Sequence, residues 1–401
     1  MTLSPDSRRE GIARLTLRSL SELESYLLRE RFRGYDPYDT LMSPVFRLPV
    51  LRSSKIIRFS AQQLGKRLPV NLRPILRVPK GYNPVTLGLV IEGSAHLAHV
   101  QPERASLLEE RVRDCIDELK RLSSSGYSGT CWGYDFHWEA RFARLPPYFP
   151  TIVATGIVSN ALFVAYRLLG IKEAFELCES AARFVLHDVS RTDHADGTFC
   201  WGYFPGDHKQ VLNATMKGAR LCAQVYSVTK DESCRDAAQR TARFVASQQR
   251  EDGSWPYAVA DPRSWADNFH TAYVLDAFDE YERHTGDEQF SHAKLRGWTY
   301  YRASFFADDC VPTHYPLRRY PVDATSCAQS LLTLSRFADL ATAQRAADWT
   351  IRHMQCPDGH FAYQIRRRYR IRIPYVRWAS AYMFAGLSGL AYALGEDGVQ
   401  Q

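Results

Sequence analysis

Asp267 and His270 lie three residues apart in the segment SWADNFH, at the predicted start of a helix. Residues at that spacing share one helix face, so the two side chains can act together. A carboxylate beside an imidazole is suited to general acid–base chemistry. Two simpler interpretations stay open: Asp267 as a helix N-cap only, and His270 as a core histidine whose hydrogen bonds are satisfied.

A second carboxylate across the site would complete the acid and base pair that cleavage of a glycosidic bond requires. Asp135 is the first candidate for this facing group, and Asp207 and Asp323 are the next. The sequence does not fix the separation of the carboxylates, so retention and inversion of configuration are both open.

Aromatic side chains stand beside carboxylates and amides in the same predicted loops. The C–H face of a sugar ring stacks on Trp or Tyr, and its hydroxyls need polar partners. The predicted substrate-binding residues are Trp132, Tyr134, Trp138, Arg141, Trp201, Tyr203, His208, Asn213, Trp265, Asn268, Tyr315, Arg377 and Trp378. The recurring aromatics Phe199, Trp255 and Phe361 could instead be hydrophobic plugs on the helices.

These loops belong to a repeat. Six segments align, and each has a small or polar residue at the equivalent position: Thr86, Thr155, Thr215, His270, Thr325 and Ser380. The intervals between these positions are 69, 60, 55, 55 and 55 residues. Such regular intervals indicate an architecture built from one repeated unit.

Each aligned segment continues as a helix with apolar or small residues on most faces, which indicates a buried inner helix. Amphipathic segments such as residues 107–122, apolar on one side only, indicate outer helices. Gly turns and aromatic loops such as DGSWPY at 252 join outer to inner helices. The sequence therefore predicts an all-α fold, an (α/α)6 toroid of six helical hairpins over residues 81–401.

Residues 1–80 are predicted to form an irregular basic extension that wraps the toroid or covers its mouth. They contain 16 Lys and Arg against 7 Asp and Glu, a balance of +9, in a chain whose net charge is +7. This asymmetry predicts an anionic partner or surface for the extension, or a contact with polysaccharide synthesis machinery. An ordinary solvated basic face is the alternative.

A second basic cluster lies near the end of the chain. The segment RRRYRIRIPYVRW, residues 366–378, holds six Arg and no acidic residue. Its alternation predicts a two-stranded excursion with a basic face at the mouth of the toroid. Arg side chains pair with carboxylates and other anions, so this face is interpreted as a binding surface for an acidic polymer. A plain solvated surface is the alternative.

The composition, with 45% hydrophobic and 24% charged residues, is typical of a soluble globular protein. The nine Cys are odd in number, scattered and never spaced CxxC, which favours free thiols over disulfides or a zinc site. No signal-peptide core and no run of roughly 18 apolar residues is present. We therefore expect a cytoplasmic protein with no transmembrane segment, metal, cofactor or nucleic-acid partner.

Two resemblances to known families are present. The segment QQREDGSW resembles the Q- and W-containing motif of triterpene cyclases, but the DxDD and DDxxD motifs of terpene chemistry do not occur. The segments GYDPYD, QLGKRLPVNLRP, CWGYDFHW, DNFHT and YPVDATSCAQ resemble bacterial polysaccharide biosynthesis proteins of the VpsJ type. That resemblance implies a role in surface polysaccharide production, with toroid glycosidases, polysaccharide lyases and uronyl epimerases as analogues in fold.

Three functions follow as hypotheses. The first is an enzyme that cleaves or modifies an acidic polysaccharide or a lipid-linked oligosaccharide by general acid–base catalysis, as a glycosidase, lyase or uronyl epimerase. The second is a noncatalytic glycan-binding subunit of a synthesis complex. The third is an isoprenoid cyclase or prenyltransferase-like enzyme, which predicts a dry aromatic cavity. Fold analogy by itself does not fix the reaction.

Overall fold

Pairs of helices form the body of the molecule. The computed structural model describes residues 5–400, apart from residues 142 and 309. The inner helices are α4 (Pro84–Val100), α6 (Ile152–Leu169), α8 (Leu212–Thr229), α10 (Asn268–Thr285), α12 (Ala324–Arg336) and α14 (Tyr382–Gln400). The outer helices are α1 (Pro5–Arg29), α5 (Ala105–Arg121), α7 (Lys172–His187), α9 (Glu232–Ser247), α11 (Ser291–Ser304) and α13 (Leu340–Met354). Two short helices, α2 (Pro49–Ser53) and α3 (Lys55–Arg67), follow α1.

The inner helices form a closed ring. Each packs against the next, and the last, α14, packs against the first, α4. Every inner helix also packs on an outer helix, and α1 takes the outer place beside α14. The predicted (α/α)6 toroid is therefore confirmed, and the contact between α14 and α4 excludes an open superhelix.

The start of the chain differs from the irregular extension that the sequence predicts. Helix α1 buries Leu20, Leu23, Tyr26 and Leu27 and packs on α13 and α14. Its apolar face has no partner nearby in sequence, so only closure of the ring reveals it as a core helix. Residues 34–81 then cross the mouth, and a domain boundary at residue 80 stays a prediction.

Helix α6 is the one helix in the described chain that is long and apolar enough to cross a membrane. Of its residues 72% are buried inside the ring, where α4, α7 and α8 pack against it. Burial of this kind is typical of a core helix.

Short antiparallel strands shape the loops between outer and inner helices. The pairs are β1 (Trp138–Glu139) with β2 (Arg144–Leu145), β3 (Arg191–Asp193) with β4 (Phe199–Trp201), β5 (Gln210–Val211) with β6 (Ala258–Val259), and β7 (Phe306–Ala307) with β8 (Val311–Pro312). A three-stranded sheet has the order β11 (Arg370–Ile371), β10 (Gln364–Ile365), β9 (Val322–Asp323). Strands β10 and β11 are the two-stranded excursion predicted from the alternating Arg segment.

The recurring Thr of the repeat anchors an aromatic loop to its inner helix. Thr155 Oγ1 accepts a hydrogen bond from the backbone N–H of Trp132 at 3.1 Å, and Thr215 Oγ1 accepts one from Trp201 at 3.0 Å. The two indoles are 0% and 1% exposed. Trp132 and Trp201 are therefore core plugs and do not line the mouth, unlike the substrate-binding role predicted for them.

Trp255 has the same place in its own hairpin. Its Nε1 donates to the carbonyl of Val245 at 3.0 Å, and its ring stacks on Phe278 with centroids 5.6 Å apart. The plug interpretation of this recurring aromatic residue fits the observed packing.

Charged and amide side chains fill the axis of the ring, although the sequence predicts mainly apolar inner helices. They follow the spacing i, i+3 or i+4, i+7 on α8, α10 and α12: Lys217, Arg220 and Gln224; Tyr273, Asp276 and Glu280; Gln329, Thr333 and Arg336. Arg336 lies 3.7 Å from Asp276 and 3.3 Å from Asp279. One helix face is thus polar because it faces the axis, where buried charges must pair with one another.

The Thr anchor can be tested by the change Thr155→Val, which removes the acceptor for the buried Trp132 N–H and keeps the side-chain shape. We expect the free energy of unfolding to fall by about 1–3 kcal/mol, because a buried donor is left without a partner. Denaturant titration of both proteins measures this. Thr299→Val on the exposed face of α11 is the matched control and should change stability by less than about 0.5 kcal/mol.

Candidate functional site

Asp267 and His270 form a hydrogen-bonded pair at the start of α10. Asp267 is the N-cap, and its Oδ1 accepts the backbone N–H of His270 at 3.1 Å. Its Oδ2 lies 2.7 Å from His270 Nδ1. A carboxylate can only accept hydrogen bonds, so Nδ1 carries a proton, and Nε2 is the ring nitrogen left to exchange a proton with a ligand.

Asp267 orients the imidazole and is itself shielded. It is 2% exposed, and both of its oxygens are engaged. Burial opposes its charge, but the imidazole and backbone amide of His270 outweigh burial, so the pKa of Asp267 is lowered. The residue is thus both an N-cap and a charged positioning residue, whereas the sequence predicts that it acts directly as acid or base.

A small cavity adjoins this pair. Its lining includes Asn213, Tyr257, Trp265, Asp267 and His270, and its volume of about 10 Å³ holds about one water molecule. Asn213 is 3% exposed, and its Nδ2 has no hydrogen-bond partner among the described residues. A buried amide donor left unsatisfied costs free energy, so it indicates a ligand or water oxygen at this position.

Aromatic rings form one wall of the cavity. Tyr257 stacks on Trp265 with centroids 5.5 Å apart and planes 13° apart, and it meets the His270 ring edge-on at 4.7 Å. Trp265 is 44% exposed, which is high for a large aromatic side chain. This wall offers a flat face to a ligand directly beside the imidazole.

A second histidine lies on the other side of the start of α10. The His314 carbonyl accepts the backbone N–H of Asn268 at 3.0 Å, and its ring packs on Phe269 with centroids 5.6 Å apart. Its Nδ1 lies 3.2 Å from Ser326 Oγ. After burial and His270, His314 contributes to the lowered pKa of Asp267, so two imidazoles flank one buried carboxylate.

Arg377 lies beneath the mouth and is already paired. Its Nε and a terminal nitrogen donate to the two oxygens of Asp36 at 2.6 and 3.0 Å. The guanidinium lies over the rings of Tyr134 and Trp378, 4.8 and 4.7 Å from their centroids. The sequence predicts that Arg377 binds substrate. In the structure it is 3% exposed and its guanidinium is already paired, so it joins the last hairpin to residue 36 through an ion pair.

The N-terminal segment supplies part of the site. Tyr38 stacks on Phe136 at 6.3 Å and meets the Trp378 ring at 5.7 Å, and Lys66 Nζ donates to the Tyr38 hydroxyl at 2.6 Å. Tyr38 therefore covers the mouth from the side opposite the inner helices. The Trp378 ring in turn meets the ring of Phe269, the neighbour of His270, at 5.9 Å.

Asp135 lies at the same mouth, in the loop before α6. Its Oδ1 accepts the Asn83 amide at 2.5 Å, and its Oδ2 lies where a Cβ on Gly81 would come within 1.7 Å. Burial and the nearby carboxylate of Asp36 raise the pKa of Asp135 to about 6. A carboxyl with that pKa can hold a proton close to neutral pH.

The two other candidate carboxylates hold loops. Asp323 is the N-cap of α12: its Oδ1 accepts Thr325 N–H at 3.0 Å and its Oδ2 accepts the Gln364 amide at 2.6 Å. Asp207 Oδ2 accepts the backbone N–H of Tyr203 at 2.8 Å. Neither lines the cavity beside His270, which differs from the catalytic role predicted for them.

Some predicted binding residues do gather at the mouth. Trp138 packs on Tyr203 at 5.5 Å and on Tyr134 at 6.1 Å. Tyr315 is half-buried, and burial together with Asp267 raises its pKa. These side chains lie around the same opening as Trp265 and can contribute aromatic and hydroxyl contacts to a sugar.

Other predicted binding residues lie elsewhere. Asn268 is fully buried, and its Oδ1 accepts the hydroxyls of Tyr301 and Ser330 at 3.1 and 3.2 Å. Arg141 and His208 have exposed side chains outside the cavity lining. The structure therefore brings together only part of the predicted set.

Sequence reasoning missed several residues at this site. Tyr257 and His314 occur in the loops considered, but a single Tyr or His in a repeated loop has no distinguishing pattern. Tyr38 and Lys66 come from the extension, whose path across the mouth is set by Asp36 and Arg377. The charged residues of the axis could have been predicted from the sequence, because charges at i, i+3 and i+7 in an apolar helix indicate one polar face.

The fold is similar to those of solved enzymes that act on carbohydrates. A family 76 glycoside hydrolase, a mannosidase from Bacteroides thetaiotaomicron, has a TM-score of 0.61 at 8% identity and covers 95% of this chain and 100% of its own. A cellobiose 2-epimerase from Bacillus thermoamylovorans has a TM-score of 0.59 at 10% identity, with 80% and 90% covered. A D-mannose isomerase has a TM-score of 0.58 at 11% identity, with 78% and 87% covered. At such identities the likeness shows the six-hairpin, glycosidase-like fold alone. Sequence comparison with family models and with curated proteins finds no match.

Asp135→Asn tests the raised pKa of Asp135. A group whose pKa rises from 3.8 to about 6 on folding stabilises the folded state when protonated, and that stability is lost as pH rises through about 6. Above pH 6 the variant should therefore be more stable than the natural protein by on the order of 3 kcal/mol, and below about pH 4 the difference should vanish. Denaturant titrations across this range measure it. Asp114→Asn, at an exposed position of α5, should show no such trend.

Asp36→Asn tests the ion pair between Asp36 and Arg377. The change leaves the buried Arg377 guanidinium without a compensating charge, so we expect a loss of about 3–5 kcal/mol in unfolding free energy. Glu22→Gln removes one partner of the exposed pair with Arg18 and should cost less than about 1 kcal/mol. Equal effects of the two changes would show that the buried pair is not a special constraint.

Proposed function

We propose that this protein is a carbohydrate-active enzyme that transfers a proton to or from a sugar bound at the mouth of the toroid, with His270 as the transferring group. The observation that carries the proposal is the Asp267–His270 pair, in which a 2.7 Å contact fixes Nδ1 as the protonated nitrogen. An imidazole held in this way has Nε2 available as a general base and can return the proton as a general acid.

The surroundings of the imidazole suit a sugar. Trp265 and Tyr257 offer a stacked aromatic face, and the Asn213 amide offers a free donor for a hydroxyl or ring oxygen. Flat apolar faces beside a few polar groups are the usual composition of a carbohydrate site. Solved proteins of the same fold include two epimerases, an alpha-mannanase, a mannosidase and an isomerase, which supports this class.

Acid–base chemistry at a sugar carbon or a glycosidic bond needs a second titratable group. His314 is the stronger candidate, because it lies beside the same buried carboxylate and its ring is half-buried near the opening. Asp135, with its pKa near 6, is the alternative on the side of Arg377. Glycosidase, lyase and epimerase chemistries differ in which of these groups they need.

The substrate is proposed to be an acidic polysaccharide or oligosaccharide of surface polysaccharide production. Exposed Arg367, Arg368, Arg370 and Arg372 lie on and beside the β10–β11 hairpin and can pair with uronate carboxylates. The VpsJ-type resemblance of GYDPYD and CWGYDFHW favours the same setting, and a cytoplasmic location is part of that proposal.

A noncatalytic glycan-binding role is the second candidate. It is favoured by the small cavity beside His270, whose volume of about 10 Å³ is too small to enclose a sugar ring, so a glycan would lie against the exposed Trp265 at the mouth. An isoprenoid cyclase is less well supported, because the axis of the ring contains paired charges such as Arg336 with Asp276 in place of a dry aromatic cavity.

His270→Gln and Asp267→Asn distinguish catalysis from binding. Acidic exopolysaccharide and its oligosaccharides, incubated with the natural protein, should change in chain length, ultraviolet absorbance or epimer content. We expect H270Q to lower that rate by about 10²–10⁴-fold, because proton transfer is lost. D267N should lower kcat more than it raises KM, because the imidazole loses its orientation while the sugar-binding wall remains.

His187→Gln is the matched control, since His187 is exposed at the end of outer helix α7 and does not line the cavity beside His270. The rate of this variant should stay unchanged. The second group is assigned by comparing H314Q with D135N, of which the true partner should show the larger fall. Full activity in H270Q would refute the proposed role. Retardation of the glycan without any product would instead establish the binding role.

A further inference from the structure

Residues 45–75 expose apolar side chains at a density seen nowhere else in the described chain. Ten of its nineteen exposed large hydrophobic residues lie in this stretch. They are Val45, Leu48, Val50, Ile56, Ile57, Phe59, Leu64, Val70, Leu72 and Ile75. Exposed apolar side chains concentrated in one segment are typical of an interaction site.

Helix α3 has its polar and apolar faces reversed. Its inward face carries Arg58 and Gln62, which are 7% and 0% exposed. Its outward face carries Ile56 and Leu64, which are 79% and 56% exposed. A surface helix that faced only water would have the opposite arrangement.

The inward side chains hold α3 in this orientation. Arg58 Nε donates to Glu139 Oε2 at 2.6 Å, and Gln62 Nε2 donates to the carbonyls of Tyr38 and His137 at 2.7 and 3.2 Å. Rolling the helix to hide its apolar face would take Arg58 away from the buried Glu139 carboxylate and leave that carboxylate only Arg144, 4.0 Å away, at a large cost. The outward apolar face is therefore built into the fold.

Positive charge surrounds the apolar face. Between Asp39 and Glu92 the sequence contains nine Lys and Arg and no acidic residue. Arg47, Arg52 and Arg77 are exposed, and none has an acidic side chain within 4.0 Å in the described part of the chain. The basic hairpin tip adjoins α3, because the Tyr369 hydroxyl donates to the Arg67 carbonyl at 3.4 Å.

We propose that residues 45–77 form an interfacial surface that binds an anionic lipid bilayer. The outward apolar side chains would enter the boundary between headgroups and acyl chains, and the surrounding Arg would pair with lipid phosphates. Apolar side chains bordered by basic ones are the usual pattern of helices that lie in the plane of a membrane. A second copy of the chain is the poorer occupant, because a two-fold contact would bring like charges together.

The proposed membrane-binding surface lies next to the mouth of the toroid. The inward face of α3 bonds to Tyr38 and Glu139, at the mouth of the toroid, so the bilayer would lie beside the opening. A glycan on a lipid carrier would then reach the cavity without leaving the membrane surface. This consequence rests on the proposed function, whereas the membrane contact does not.

Vesicle sedimentation tests the surface with the full-length protein. One set of vesicles contains phosphatidylcholine and phosphatidylglycerol in roughly a two-to-one ratio, and the other contains phosphatidylcholine alone. We expect the protein to sediment with the anionic set only, and increasingly less as salt is raised.

The double change Ile56→Glu with Leu64→Glu should weaken the vesicle partition constant by roughly tenfold or more. Arg47→Gln with Arg52→Gln should weaken it by roughly fivefold for each Arg removed.

Leu107→Glu with Leu295→Glu is the matched control, since these leucines are 54% and 61% exposed on outer helices α5 and α11. This variant should bind like the natural protein, and circular dichroism should show that every variant is folded. The proposal is overturned if the natural protein does not bind anionic vesicles. It is also overturned if the Leu107 and Leu295 pair of changes weakens binding as much as the Ile56 and Leu64 pair. A concentration-dependent dimer that I56E with L64E dissolves, without vesicle binding, would assign the surface to a second copy. Glycan turnover plays no part in these measurements, so they stand apart from the test of His270.

Discussion

The buried pair between Arg377 and Asp36 is the interaction on which the mouth of this protein depends. It joins the last hairpin to the segment that leaves α1, at distances of 2.6 and 3.0 Å. A buried guanidinium must have a partner, so residue 36 cannot leave without a large cost. Tyr38 is thereby held over the opening, and Tyr134 and Trp378 are held against the guanidinium. One ion pair thus positions Tyr38, Tyr134 and Trp378 around the opening.

Closure of the ring creates the second constraint. Six inner helices meet around an axis, and α8, α10 and α12 carry charged and polar side chains on the faces that point there. Charged residues such as Arg336 and Asp276 occupy that space in mutual contact. Farther up, Asp267 lies at the start of α10 beside His270, and the imidazole and backbone N–H of His270 keep its charge despite burial. The polar interior and the site are therefore parts of one column through the ring.

The repeat explains both the success and the limits of reading the site from sequence. Recurring residues such as Trp132 and Trp255 turned out to be plugs, because each hairpin needs the same packing. Residues that depart from the repeat, such as His270 and Trp265, lie at the cavity. Departure alone was insufficient, however, since Asp207 also departs from it and yet holds a loop by accepting the backbone N–H of Tyr203. A side chain's role depends on which of its atoms are already satisfied, and sequence does not record that.

By itself, the sequence determined the toroid and the inner and outer helices, because these depend on local periodicity and spacing. It also singled out the SWADNFH segment, whose Trp265, Asp267 and His270 the structure places at one cavity. It also located the excess of basic charge in the first eighty residues. Only the tertiary structure decided that α1 completes the ring, that Arg377 is paired with Asp36 and that α3 presents its apolar face outward. Each of these depends on a partner hundreds of residues away or on a helix orientation fixed by one buried contact. Periodicity predicts that a helix has two faces, but the partners that the fold brings to it decide which face is buried.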